Sequence, residues 1–174
     1  ASFDPLRLVN TYGAFGTVSE ERIELVIKSA HDISGPWTEY QFKAKPGDVF
    51  RKPRWISPYH YRLDWQFWIA ALVGSIDRSP WMYNFLLKIL QGDQGVLNLL
   101  HGSNKGDQAD KDLRTPPKYI IVEKYKYKFN TKSNGEQQPD GDMPAPYWIR
   151  ERAGKFFPRQ GVATIEMLEN LVGQ

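Results

Sequence analysis

The sequence predicts an α+β fold: an antiparallel β-sheet or β-sandwich with a helical insertion at about residues 63–101 and a C-terminal amphipathic helix. Apolar residues alternate with polar ones early in the chain and again from Tyr119 to Phe129, which is the period of a β-strand. Between these stretches, and again after Thr164, apolar residues recur at helical spacing. Strands on both sides of a helical segment favour an antiparallel sheet or sandwich.

Strands and turns are predicted for the first 60 residues. Ile23, Leu25 and Ile27 alternate with Glu24 and Lys28, the pattern of a half-buried strand. Two further alternations predict strands near Leu6–Tyr12 and at Trp37–Lys43. Proline and glycine in the segment 45–48 then predict a turn.

Helices are predicted for the middle of the chain. A first helix carries Leu63 and Phe67 on one face and is expected to stop at Gly74, because glycine is the preferred helix terminator. Ser79-Pro80 predicts the start of a second, strongly apolar helix that closes at Gly92. Asp93 is expected to cap one more short helix.

The last third of the chain predicts two strands and a helix. Along Tyr119–Phe129, aromatic side chains share one face, and the other face carries the lysines Lys124, Lys126 and Lys128, which we expect to guard an exposed strand edge. A returning strand is predicted at Tyr147–Phe157, interrupted at Gly154, and a short amphipathic helix follows Thr164. The polar segments 101–117 and 131–146 are predicted to be connections, and we assign them no function.

Composition fixes the broad class. The 174 residues match one domain, and 41% hydrophobic with 14% aromatic residues is too apolar for a disordered chain. The chain has no cysteine, which excludes a disulfide scaffold, thiol catalysis, zinc fingers and iron–sulfur ligation. A net charge of +3, with 23 basic and 20 acidic residues, does not point to nucleic acid.

Hydropathy predicts no transmembrane helix. The longest apolar run, Phe67–Gly74, is far shorter than the roughly 20 residues that cross a bilayer. The first residues do not have the pattern of a signal peptide. Because the chain also lacks an initiator methionine, we expect it to be cut from a longer protein.

The densest chemistry lies in the segment Trp55–Trp68, which we propose as the site. Its candidate partner-binding residues are Trp55, Tyr59, His60, Tyr61, Arg62, Asp64 and Trp65. Tryptophan, tyrosine and arginine dominate the energetics of protein interfaces, so the pattern is typical of recognition. The structural alternative is a strand-to-helix junction in which Asp64 caps the helix and Arg62 pairs locally.

A catalytic interpretation of the same segment is weaker. Ser57, His60 and Asp64 could supply a nucleophile, a base and an orienting acid, but no nucleophile elbow or glycine-rich oxyanion turn accompanies Ser57. The acidic segments 107–112 and 140–142 lack the ligand spacing of a calcium loop. We therefore expect no catalytic residue, no metal and no cofactor.

Several phrases of the sequence resemble one known family. The most characteristic is the nine-residue stretch Ser57–Trp65, SPYHYRLDW. Others follow in the same order along the chain: Val9–Gly16, Trp37–Lys43, Lys45–Asp48, Pro80-Trp81, Pro116–Tyr119, Tyr125–Phe129 and Trp148–Arg150. Together they resemble the carboxy-terminal domain of the lipase maturation factor family.

This resemblance implies a non-enzymatic, chaperone-like domain in the lumen of the endoplasmic reticulum, belonging to a protein embedded in its membrane. The implied clients are secreted lipases of the lipoprotein lipase type, which need such a factor to fold, dimerise and leave that compartment. The rival hypothesis, from the residues alone, is a β-sandwich module that binds carbohydrate or lipid through its aromatic side chains. A concave aromatic pocket would favour this rival, and a flat or convex patch would favour a protein client.

Overall fold

A computed structural model describes residues 21–58, 60–100, 115–131 and 145–173 of the chain. Within them, the elements are strands β1 (Arg22–Ala30), β2 (Thr38–Glu39), β3 (Tyr119–Phe129) and β4 (Trp148–Phe157), and helices α1 (Arg62–Val73), α2 (Trp81–Leu90), α3 (Gln94–Leu97) and α4 (Ile165–Val172). A 3₁₀ turn, Ile76–Arg78, joins α1 to α2. The predicted strand at residues 6–12 lies outside the described residues, as do most of the connections 101–117 and 131–146.

The four strands form one antiparallel sheet in the order β2-β1-β3-β4. This confirms the α+β class and its first alternative, a single sheet with a helical insertion. The predicted strand at Trp37–Lys43 is shorter than expected, because only Thr38 and Glu39 pair with β1. The interruption predicted at Gly154 is observed as a register irregularity in the pairing of β3 with β4.

The main core lies between the helices and one face of the sheet. The alternating residues Leu25 and Ile27 of β1 and Ile120 and Val122 of β3 are fully buried in it, together with Phe67 of α1 and the apolar face of α2. Burial of aliphatic and aromatic side chains on this scale is the main stabilising contribution to the fold. The stop at Gly74 is confirmed: this residue has φ of 79°, a left-handed conformation that glycine adopts without strain.

The opposite face of the sheet holds a network of charged and tyrosyl side chains around Val26. Arg150 donates two hydrogen bonds to the carboxylate of Glu39, at 2.9 and 3.0 Å. Glu123 accepts from Arg152 at 2.8 Å and is paired with Lys28 at 3.0 Å. Glu123 is 5% exposed and Glu24 fully buried, so the face of β1 that carries Glu24 and Lys28, which alternation predicted to be solvated, is largely buried.

The sequence predicts that the lysines of β3 protect an exposed strand edge, and this prediction is wrong. β3 is an interior strand, hydrogen-bonded to β1 on one side and to β4 on the other. The predicted alternation itself is observed, since Tyr125 and Tyr127 share the face of the charged network and Lys124 lies on the other, where its Nζ donates to the carbonyl oxygen of Gly74.

We expect Glu123 to make the stability of the fold sensitive to acid. The substitution Glu123→Gln should reduce this sensitivity. Burial raises the pKa of Glu123, but hydrogen bonds from Arg152 and Lys28 outweigh it and lower the pKa below the ordinary value of 4.5. A lowered pKa in the folded state contributes stability above the unfolded pKa, and this is lost as pH falls through the folded pKa. Glu123→Gln should cost about 2 kcal/mol at neutral pH and less at pH 3.

Urea denaturation at the two pH values measures this difference. The matched control is Glu151→Gln, on the neighbouring strand, where the side chain is exposed. Equal destabilisation by Glu123→Gln at both pH values would contradict the assignment.

Candidate functional site

The predicted site begins in the segment that leads into α1, and Arg51 fixes the start of this segment. The Arg51 guanidinium donates to the carbonyl oxygens of Phe42 and Lys45, each at 2.5 Å. Beyond Arg51, residues 52–58 run without helix or strand toward α1. One side-chain contact reaches back from this segment, from Arg54 Nη1 to the carbonyl oxygen of Lys43 at 3.3 Å.

Asp64 fixes the other end of the segment, by an interaction that differs from the predicted one. It does not cap α1, whose N-cap residue is Tyr61 without a side-chain cap hydrogen bond. Its Oδ1 instead accepts from the backbone N–H groups of Ala44 and Lys45, at 2.6 and 2.8 Å. These two hydrogen bonds link the loop before Arg51 to the first turn of the helix. Asp64 is 7% exposed, so the link is buried.

Three aromatic side chains are open to solvent here, two between the anchors and Trp65 directly after Asp64, and with His60 and Trp68 we call them the aromatic surface. Trp55 is 90% exposed, Tyr61 39% and Trp65 41%. The ring centroids of Trp65 and Trp68 are 4.9 Å apart, which holds Trp65 against the body of α1. The exposed His60 lies next to this pair, 6.4 Å from the Trp65 ring.

The remaining predicted site residues lie as follows. Arg62 is exposed at the start of α1 and forms no ion pair with a described residue, so the predicted local pairing of Arg62 is not observed there. Tyr59 lies outside the described residues. The structure thus brings His60, Tyr61, Asp64 and Trp65 together, with Arg62 next to Tyr61, while Trp55 is exposed earlier in the same segment.

Two cavities open beside the aromatic surface, and Tyr61 lines both. The smaller has a volume of about 240 Å³. It is lined by Arg22, Ala44, Lys45, Ile56, His60, Tyr61, Asp64, Trp65 and Trp68. The larger, about 540 Å³, we call the Leu99 cavity; its lining is Lys43, Tyr61, Arg62, Leu63, Gln66, Trp81 and Leu99. The volume of the Leu99 cavity and its largely apolar walls are typical of ligand-binding pockets, whereas the smaller cavity is below their usual size.

The side chains of Ser57, His60 and Asp64 are not connected as a catalytic triad. The Asp64 Oδ1 is occupied by backbone donors and its Oδ2 has no hydrogen-bond partner in the described part of the chain, so Asp64 does not orient His60. In the described ranges, no cluster of three or more histidine or acidic residues could hold a metal ion. The acidic segments 107–112 and 140–142 are outside those ranges.

A buried ion pair behind the smaller cavity escaped sequence reasoning. The carboxylate of Glu24 is fully buried and lies 3.3 Å from the ammonium group of Lys45, which also donates to the carbonyl oxygen of Leu25 at 2.7 Å. Arg22 donates to the same carboxylate at 2.7 Å. Alternation placed Glu24 on a solvated face, and no local signal marks Lys45, in a turn, as its partner.

The Leu99 cavity was also missed, because its residues are distant in sequence. Lys43 precedes the aromatic segment, Trp81 is the first residue of α2, and Leu99 lies two residues beyond the end of α3. Only the exposed apolar side chain of Leu99, at the edge of a predicted polar connection, could have indicated an unfilled surface there.

Comparison with known proteins gives a consistent result over most of the chain. Residues 8–158 match the family described as Lipase maturation factor C-terminal domain. The chain is 43% identical over 162 residues to a Mus musculus protein named lipase maturation factor 1, and 39% identical to the Homo sapiens protein of that name. It is 35% identical over 177 residues to lipase maturation factor 2 of Xenopus tropicalis.

These alignments cover 90% of the chain for the first two relatives and 98% for the third, but 26%, 26% and 23% of the relatives themselves. The chain therefore spans about a quarter of the length of these relatives. No solved structure matches it significantly. Among the described residues, no helix has the length and apolar character needed to span a membrane.

Proposed function

Because the chain belongs to the lipase maturation factor family, we propose that it is a non-enzymatic, chaperone-like domain that holds a partly folded lipase until the lipase assembles. The clients would be secreted lipases of the lipoprotein lipase type. The domain would act in the lumen of the endoplasmic reticulum, as part of a longer protein embedded in that membrane. The names of the relatives and the match to the family domain support this proposal.

The observation that carries the proposal is the exposure of Trp55. A tryptophan that is 90% exposed, in a segment anchored at both ends, leaves a large apolar area in water. Transient capture of apolar client surface would bury that area. Tyr61 and Trp65 extend the aromatic surface, and His60 and Arg62 add directional hydrogen bonds at its margin.

Rigidity of the base beneath the surface also supports a binding role. Arg51 and Asp64 hold the flanking backbone, and Trp65 packs on Trp68. An interface that is ordered before binding loses little conformational entropy when the partner arrives. Asp64 would therefore act in binding as a positioning residue.

Substituting Trp55 tests the proposed function. Trp55→Ala should weaken capture of a denatured and diluted lipoprotein lipase by about 2 kcal/mol, roughly 30-fold, because tryptophan anchors dominate interface energies. The melting temperature should not change, since the side chain makes little contact with the folded domain. Native lipase dimer is the second input and should not be captured.

Ile33→Ala is the matched control, because Ile33 is an apolar side chain 61% exposed, in the turn between β1 and β2 and outside the aromatic surface. The Ile33→Ala variant should capture as much denatured lipase as the unsubstituted chain does. Equal capture by Trp55→Ala and Ile33→Ala would remove the aromatic surface from the proposal. Capture of neither lipase form by the unsubstituted chain would remove this domain as a lipase holder.

A further inference from the structure

The Leu99 cavity has firm apolar walls. The Trp81 ring packs edge-on against the buried Phe67 ring, with centroids 5.3 Å apart, and Leu63 packs partly against the same core. Leu99 is 47% exposed at the opposite side. A ligand in this cavity would thus meet side chains that the core already holds in place, which lowers the entropy cost of binding.

Positive charge lines the same cavity. Among the described residues that line it, the charged ones are Lys43 and Arg62, and neither forms an ion pair with an acidic side chain of the described ranges. The Lys43 ammonium lies over the Tyr61 ring, 5.6 Å from its centroid. The first turn of α1, which starts at Arg62, adds the positive end of the helix dipole.

The described lining therefore combines apolar side chains with two cations that have no carboxylate partner among the described residues, and this combination selects among ligands. A sugar would require several neutral polar partners, but the described lining offers two, the Gln66 amide and the Tyr61 hydroxyl. A cationic amphiphile would be repelled by Lys43 and Arg62. A single apolar chain that ends in a carboxylate fits both features.

We propose that the Leu99 cavity binds a free long-chain carboxylate, a fatty acid, with its acyl chain against Leu63, Trp81 and Leu99 and its carboxylate at Lys43 and Arg62. A planar carboxylate can accept two hydrogen bonds from the Arg62 guanidinium, and the Lys43 ammonium adds a point charge. This site shares Tyr61 and Arg62 with the proposed client-binding surface, but binding of a fatty acid does not require the lipase-holding function.

Three ligands with the same dodecyl chain test the charge selectivity by isothermal titration calorimetry. Dodecanoate should bind with one molecule per chain, dodecanol about tenfold more weakly, and dodecyltrimethylammonium not at all. Shortening the carboxylate to decanoate and octanoate should weaken binding about fourfold per methylene group removed. Equal affinity for the three head groups, or no dependence on chain length, would overturn the proposal.

Substitutions locate the site. Leu99→Asp should abolish dodecanoate binding, because it places a carboxylate in the apolar wall. Leu72→Asp is the matched control and should bind normally, since Leu72 is 45% exposed and lines neither cavity. Retained binding in Leu99→Asp would place the ligand elsewhere and overturn the assignment.

Charge removal provides a second location test that does not depend on apolar packing. Arg62→Gln should weaken dodecanoate binding about tenfold and leave dodecanol binding unchanged. Lys118→Gln, which removes an exposed charge that lines neither cavity, should change neither. An equal loss for both ligands in Arg62→Gln would contradict a carboxylate contact at this residue.

Other occupants are outcomes of the same titrations. Binding of an acidic, apolar peptide without binding of dodecanoate would assign the cavity to a protein segment and overturn the fatty-acid proposal. Binding only to vesicles that contain anionic phospholipid would assign it to a membrane surface, with the same consequence. Capture of lipase by Trp55 variants tests the proposed function, and the dodecanoate titrations test fatty-acid binding. Each proposal can therefore fail without affecting the test of the other.

Discussion

Replacing Glu24 with alanine is expected to destabilise the domain by about 4 kcal/mol, lowering the melting temperature by roughly 12 °C. Glu24 is fully buried, and its carboxylate faces the ammonium of Lys45, which is 5% exposed. Burial lowers the pKa of Lys45 and attraction to Glu24 opposes that shift. Removing Glu24 would leave a buried cation whose described partners are the Leu25 carbonyl oxygen, the Phe42 ring and the charge of Asp64.

The comparison of Glu24→Ala with the double variant Glu24→Leu/Lys45→Met separates the pair's net contribution from the cost of breaking it. An apolar pair of similar volume removes both charges, and stability should return to within about 1 kcal/mol of the original. Glu151→Ala, at an exposed position of β4, is the control and should have little effect. Loss of less than 1 kcal/mol in Glu24→Ala would show that Lys45 reaches water when its partner is absent.

Asp64→Ala is the second large effect, expected at about 3 kcal/mol of unfolding free energy. The substitution removes the acceptor of two backbone N–H groups, and Lys45, which provides one of them, is buried. Loss of this link also frees the loop that carries Lys43 from the first turn of α1. We therefore expect weaker binding of client at the aromatic surface and of dodecanoate in the Leu99 cavity, in addition to lower stability.

Asp64→Asn is the informative companion, because the amide oxygen can still accept from Ala44 and Lys45. It should lose about 1 kcal/mol and retain both binding activities. Chemical denaturation and the capture assay measure the two properties side by side. Equal destabilisation by Asn and Ala would mean that the negative charge, near Lys45 and Arg51, matters more than the hydrogen bonds.

Local signals in the sequence predicted much of the helical part. Gly74 ends α1, the Asp93 side chain caps α3 by accepting from the N–H of Val96, and the Thr164 side chain caps α4 by accepting from that of Met167. Each signal depends only on residues within one turn of the helix end. Local chemistry was therefore sufficient for these boundaries.

Interactions between distant segments were not predictable in the same way. Asp64 has the sequence position of a helix-start residue, but its acceptor oxygen is used by a loop twenty residues earlier. The lysines of β3 were assigned to an edge because the order of strands is not contained in alternation. Glu24 was expected in solvent for the same reason, since a period of two distinguishes the two faces but does not show whether both are covered.

The sequence predicted that aromatic residues are concentrated in this segment, but it did not predict which of their rings are exposed. Fourteen consecutive residues supply the aromatic side chains, so the segment was evident from the sequence. Which rings face the core depends on the turn of α1: Phe67 is fully buried, while Trp65, two residues before it, is 41% exposed. The segment that carries Trp55 is held at Arg51 and Asp64 by hydrogen bonds to residues 42–45, which are distant from Trp55 in sequence.

The order of strands also determines when this domain can fold during its own synthesis. β1 pairs along its whole length with β3, so that Arg22 lies opposite Tyr127, and all three helices α1, α2 and α3 are synthesised between the two strands. Until β3 emerges, the described elements offer β1 one hydrogen-bonded neighbour, the two-residue β2. Pairing at such sequence separation is slow, and the exposed strand needs protection in the interval. A domain that is proposed to hold partly folded chains thus itself exposes an unpaired strand, and needs protection, until most of it has been translated.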